Sequence, residues 1–170
     1  MYCSGLSLHA AAASGQLHLE YQPKLELPSR RIEQVEALLR WRHPELGALQ
    51  PGEFIAVAER TGQVGPLTRF VLEAALRQLR AWREAGLALG VAVNVSALDL
   101  SAPELPGVVA GLLREHGVDA GSLTLEITES AAMGDPEMAG EALARLASLG
   151  VRLSLDDFGV GHSSFARLQG

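Results

Sequence analysis

Apolar and polar positions follow two periods along this chain. Leu17–Leu25 alternates around Tyr21 and predicts a strand, and Ile32–Leu38 predicts a second after a turn at Pro28-Ser29. Phe54–Arg60 predicts a short helix after Pro51-Gly52-Glu53, stopped by Gly62. A long helix runs from Pro66 to Gly86, with Leu67, Val71, Ala75, Leu79 and Trp82 as its apolar stripe. Val91–Val95 is a short β-branched run. Ser101 and Glu104 match a capping box with Pro103 just inside, opening a helix that buries Leu105, Val108, Val109, Leu112 and Leu113 and ends at Gly117. Leu123–Ile127 is a strand. Asp135-Pro136 opens a helix faced by Ala139, Leu143, Leu146 and Leu149, and Val151–Leu155 is a further strand. Strands alternating with helices predict an α/β fold with a largely parallel sheet of about five strands.

Composition narrows the class. The chain has 170 residues, enough for one domain, with 48% apolar and 20% charged residues. Its formal net charge of −6 argues against DNA or RNA polymers as partners. It leaves open a small anionic ligand held by metal ions. Cys3 is the only cysteine, so the chain carries no intrachain disulfide and fits a reducing cytoplasmic setting. No apolar run is long enough to be read as a membrane segment, and no Lys or Arg precedes Ala10–Ala13 as in a signal peptide. Residues 1–14 are expected to form a leading helix or tail, and residues 15–170 the domain.

The chemistry concentrates at strand ends. Each predicted strand from the second onward ends in an acid or amide: Glu36, Asn94, Glu126 and Asp156, with Asp157 following. Two residues before each lie Gln34, Ala92, Thr124 and Ser154, and the opposite phase is apolar. Side chains alternate across a strand, so these four polar groups are predicted to share one face at one end of the sheet. In parallel α/β sheets that C-terminal end carries active sites. Clustered carboxylates repel, and divalent cations offset the repulsion. Oxygen ligands of this kind suit magnesium or manganese rather than zinc. Taken singly, each acid also fits a helix cap or a solvated loop. Arg40 has the fork to grip a phosphate, or to make a surface ion pair. His43 and His162 read as loop histidines that could also act as bases. The loop Gly159-Val160-Gly161 fits a ligand loop or a plain turn. Lys24, the only lysine, is placed on the first strand, outside the site.

Glu36-Ala37-Leu38-Leu39-Arg40-Trp41 resembles the signature of the EAL-domain family, bacterial cyclic di-GMP phosphodiesterases with a TIM-barrel-like fold. Tyr21-Gln22-Pro23, Asn94-Val95-Ser96, Glu126-Ile127-Thr128-Glu129-Ser130 and Asp156-Asp157-Phe158-Gly159 resemble four more of its motifs, in order. The resemblance implies that Glu36, Asn94, Glu126 and Asp156 hold one divalent metal and that Asp157 helps to hold a second. Mg2+ or Mn2+ would serve. It further implies that Glu129 steadies the loop after the aspartate pair and that Gln22 and Arg40 contact cyclic di-GMP. The implied reaction is hydrolysis of one phosphodiester bond to linear pGpG.

This chain departs from the family at Val160 and His162, where threonine and tyrosine are usual. A full eight-stranded barrel takes about 250 residues, so a partial barrel, truncated at its C-terminal side, is expected. The family's catalytic lysine, later glutamate and later substrate-contacting glutamine fall beyond residue 170. An active phosphodiesterase therefore stands beside two alternatives: a non-catalytic cyclic di-GMP-binding or protein-interaction module, and an inactive fragment. Open barrel edges are expected to make the isolated chain marginal or self-associating.

Overall fold

The computed structural model describes residues 8–128 and 136–156. Helix α1 (Leu8–Ala13) leads into β1 (Leu17–Glu26) and β2 (Arg31–His43), an antiparallel pair in which Gln22 lies opposite Glu36 and Lys24 opposite Gln34. A short β3 (Gly47–Leu49) folds back on the end of β2. Helices α2 (Pro51–Arg60) and α3 (Val64–Glu84) precede β4 (Gly90–Val95). Then come α4 (Ala97–Leu100), α5 (Leu105–His116), a single 3₁₀ turn, β5 (Leu123–Thr128), α6 (Pro136–Ser148) and β6 (Arg152–Asp156).

The strand order is β1-β2-β4-β5-β6, with β3 attached to β2. The β2–β4, β4–β5 and β5–β6 pairs are parallel, as the alternation of strands and helices predicts. Among the described residues the sheet has six strands: the five expected and the three-residue β3, which carries too little apolar pattern to be read. Among the described residues it is open, with β1 and β6 at the two ends of the order.

One face is apolar throughout. Val35, Ala37, Val91, Val93, Val95, Leu123, Leu125 and Ile127 are buried there, in one core with Leu67, Leu72, Ala75, Leu76 and Leu79 of α3 and Val109 and Leu112 of α5. The long helix buries the predicted stripe, and Trp82 is half-buried, its ring 4.8 Å edge-on from Tyr21. Leu149 is the exception among the predicted core positions. It lies past the end of α6 and remains exposed.

Two boundaries differ from the sequence reading in ways that shape the site. Glu36 is not at the end of its strand: β2 continues to His43 because β1 and β3 still pair with it, whereas its ladder with β4 spans only Gln34–Ala37. The Ser101–Glu104 capping box does not form. Glu104 takes the cap position of α5 without a side-chain bond, and Pro106 lies in the first turn. The capping box sits earlier, at Ser96 and Asp99, where it starts the unpredicted one-turn α4 directly after Asn94-Val95.

Candidate functional site

The polar row forms where the parallel strands meet. Asn94 pairs in register with Glu126, and Glu36 with Ala92. The Asn94 amide donates from Nδ2 to Glu36 Oε1 at 2.9 Å. Below this pair, Gln34 Nε2 donates to Thr124 Oγ1 at 2.6 Å, so two of the residues that lie two positions before the acids bond to each other. Of Glu36, Asn94 and Glu126, Glu126 is the most enclosed, only 6% exposed. One of its oxygens, Oε2, is buried without a hydrogen-bond partner among the described residues. A buried carboxylate oxygen left without a donor is costly, and sites that hold a cation are where such an oxygen finds a partner.

Its other oxygen is engaged by a residue the sequence reading placed outside the site. The Lys24 ammonium forms an ion pair with Glu126 Oε1 and lies 3.7 Å from Glu36 Oε2. The signal was present in the strand period. Lys24 is two residues from Gln22 and faces the same way, opposite Gln34, one step below the Gln22–Glu36 pair.

The elements around Asn94 are locked from beneath. Asp99 is buried, and its Oδ2 accepts from Ser96 Oγ at 2.8 Å, Ser96 N at 3.1 Å and Thr68 Oγ1 at 2.8 Å. Thr68 belongs to α3, so one carboxylate ties the strand end carrying Asn94 to the longest helix. Sequence reading missed Asp99 and Thr68. The Ser-x-x-Asp spacing was the available signal.

Arg40 lies further along β2. Its Nε donates to Glu20 Oε2 at 2.8 Å and its Nη1 to the Leu39 carbonyl at 3.2 Å, so it makes the surface ion pair that was the alternative to a phosphate grip. Arg40, Leu38, Ile55, Glu59, Asn94 and Thr128 line an open cleft of about 550 Å³ beside the carboxylates. Gln22 is exposed and in register with Glu36. Asp156 ends β6, in register with Thr128 one step beyond Glu126–Ser154. Asp157, Glu129, Val160 and His162 lie outside the described residues. His43 is not a base poised over this site: its Nδ1 accepts the Glu45 and Leu46 amides at 3.2 Å and shapes the turn into β3. Burial pushes the Tyr21 phenol up to about 12, against a small opposing pull from the Arg77 guanidinium.

The described donors suit a hard cation. Glu36, Glu126 and the Asn94 side-chain amide are brought together, and one Glu126 oxygen is buried without a hydrogen-bond partner among the described residues. Among the described residues no group of three or more His, Cys, Asp or Glu side chains converges.

The chain belongs to the EAL domain family, whose model matches residues 6–170. The fold is accordingly a partial TIM-barrel-like (β/α) arrangement, seen here as an open sheet. It is 41% identical over 152 residues to a cyclic di-GMP phosphodiesterase of Pseudomonas aeruginosa, covering 89% of this chain and 26% of that protein. It is 42% identical over 163 residues to MucR of the same organism, a bifunctional diguanylate cyclase/cyclic di-GMP phosphodiesterase, covering 95% of this chain and 24% of MucR. Among solved structures, the PaMucR phosphodiesterase in complex with c-di-GMP superposes with a TM-score of 0.87 at 42% identity, covering 95% of this chain and 66% of that one. The chain thus spans about a quarter of these two Pseudomonas proteins. No described helix is long and apolar enough to cross a membrane.

Proposed function

We propose that this domain binds cyclic di-GMP at the C-terminal end of its parallel strands and hydrolyses one phosphodiester bond to give linear pGpG. The observation that carries the reading is the convergence of Glu36, Asn94 and Glu126, with the buried Glu126 Oε2 lacking a partner, in a chain of the EAL family. Glu36, Asn94, Glu126, Asp156 and Asp157 would hold two divalent cations, Mg2+ or Mn2+. When bound, such cations supply Lewis acidity toward the phosphate and lower the pKa of a bound water.

The protein's own part is positional. The Glu36–Asn94 bond fixes two ligands against each other, and the Asp99 network fixes the strand end that carries Asn94. Arg40 exchanges Glu20 for a phosphate oxygen of the ligand, a charge-assisted contact of similar kind. Gln22 contacts the dinucleotide from β1, and Glu129 steadies the loop after Asp157. A cytoplasmic setting suits the substrate, an intracellular second messenger.

Binding without turnover is the second reading. It is favoured by the Lys24 ammonium, which already engages both carboxylates. Among the described residues β6 is an end strand of the sheet with Leu153 and Leu155 exposed, which supports self-association of the chain. The test is incubation with cyclic di-GMP and Mg2+ or Mn2+, with pGpG followed by chromatography and Glu36→Ala as control. Product that disappears in the control supports hydrolysis. Ligand binding by calorimetry without product supports the second reading.

A further inference from the structure

We infer that Lys24 is a built-in counter-cation of the Glu36–Glu126 pair, one that holds the acids together in the metal-free protein and must be displaced when a divalent cation enters. The inference rests on the cation-site reading above and names what governs loading of that site.

Three observations converge on this role. The Lys24 ammonium contacts one oxygen of each carboxylate, on strands that are not neighbours in the sheet. Glu126 is nearly enclosed, so without that ammonium both of its oxygens would lack a compensating charge. A single positive charge also undercompensates two negative ones, and Glu126 Oε2 remains unsatisfied with Lys24 in place. A divalent cation balances both carboxylates and has more coordination positions to offer. The two cations cannot share Glu126 Oε1 at bonding distance, because like charges repel and the ammonium occupies that oxygen. Metal entry is therefore an exchange.

The protein provides room for the exchanged side chain. Lys24 also lines a second open cleft, of about 940 Å³, at the start of the parallel strands beside Gly90, Ser122 and Arg152. Glu26 and Glu33 line the same cleft, so an ammonium retreating from the carboxylates meets other acids there. The exchange makes Lys24 a positioning residue. It keeps two repelling ligands preformed and sets the cation concentration at which the site loads.

The experiment uses Mn2+ alone, titrated calorimetrically into the 170-residue chain and its Lys24→Met variant at fixed pH and ionic strength. The variant is expected to bind Mn2+ about tenfold more tightly, a typical size for coupling between two ligands of one site. Its metal-free melting temperature is expected to fall below that of the wild type and to recover at saturating Mn2+. Unchanged or weaker Mn2+ affinity in a folded Lys24→Met variant overturns the inference.

A second measurement needs no variant. Lys24 is the only lysine, so acylation by an amine reagent with peptide mapping reports on it alone, apart from the N-terminal amine. Mn2+ is expected to speed its acylation several-fold as the ammonium leaves its carboxylates. An unchanged or slower rate at saturating Mn2+ overturns the inference and leaves the cation site standing. Failure of both proteins to bind Mn2+ overturns the cation-site reading as well.

Discussion

Asn94 donates to Glu36 across 58 residues of sequence, and that 2.9 Å bond joins two strands, β2 and β4, between which the chain runs through β3, α2 and α3. The bond orients Glu36 and fixes the Asn94 amide beside it. Asn94→Ala removes the donor to Glu36 and the proposed ligand together. Turnover of cyclic di-GMP is expected to fall at least about a hundredfold, in line with the loss of a group that touches the reacting phosphate or its cation. The melting temperature without metal is expected to change little, because Asn94 is exposed. Chromatographic assay of pGpG and a thermal melt on one preparation check both statements.

Asp99 makes a different prediction, since it is buried and touches no candidate ligand directly. Thr68→Val deletes one hydrogen bond to its carboxylate and is expected to cost about 1–2 kcal/mol. Asp99→Ala also removes the α4 capping box and is expected to cost about 2–4 kcal/mol. Urea denaturation monitored by circular dichroism gives both values. A cost for Asp99→Ala within experimental error of zero would show that the network does not hold the end of β4.

Arg40 and Glu20 bear on substrate affinity. Glu20→Gln weakens the partner that now holds Arg40, so KM for cyclic di-GMP is expected to fall or stay level while kcat is unchanged. Arg40→Ala is expected to raise KM by about tenfold, the scale of one charge-assisted phosphate contact. Steady-state kinetics separates the two, and an unaltered KM in Arg40→Ala would leave Arg40 as a surface ion pair only.

Tyr21 carries a pH signature. Its phenol is raised from an ordinary 10.0 to about 12 because burial against Trp82 disfavours the phenolate. The folded state thus holds that proton more tightly than the unfolded chain does. Its contribution to stability is complete below pH 10 and is lost as pH rises toward 12. Urea midpoints at about pH 9 and about pH 11.5 are expected to differ more for the wild type than for Tyr21→Phe, and the difference between the two proteins isolates the phenol.

Much of the architecture was legible because its elements are long and strongly periodic. Leu67, Val71, Ala75 and Leu79 specify a buried helical stripe at almost any level of context, and Val91, Val93 and Val95 specify one buried strand face. The strand β3 and the helix α4 escaped notice because three or four residues hold too little pattern, and both depend on contacts made elsewhere. The Ser101–Glu104 motif misled in the same way. Its spacing is compatible with a cap, but the chain had already used the equivalent motif at Ser96–Asp99, where Thr68 supplied a third partner.

The sequence by itself determined the alternation of strands and helices, the face on which Glu36, Asn94 and Glu126 stand, and the family to which the motifs belong. These rest on periods of two and 3.6 residues and on short local spacings, which survive without knowledge of the fold. Only the tertiary structure decided what those side chains meet. It set Lys24 against Glu36 and Glu126, engaged Arg40 with Glu20 and buried Asp99 under the end of β4. Long, flexible side chains such as lysine and arginine reach several positions from one backbone site. Which carboxylate each one finds depends on strand register and on the neighbours that burial leaves without a partner.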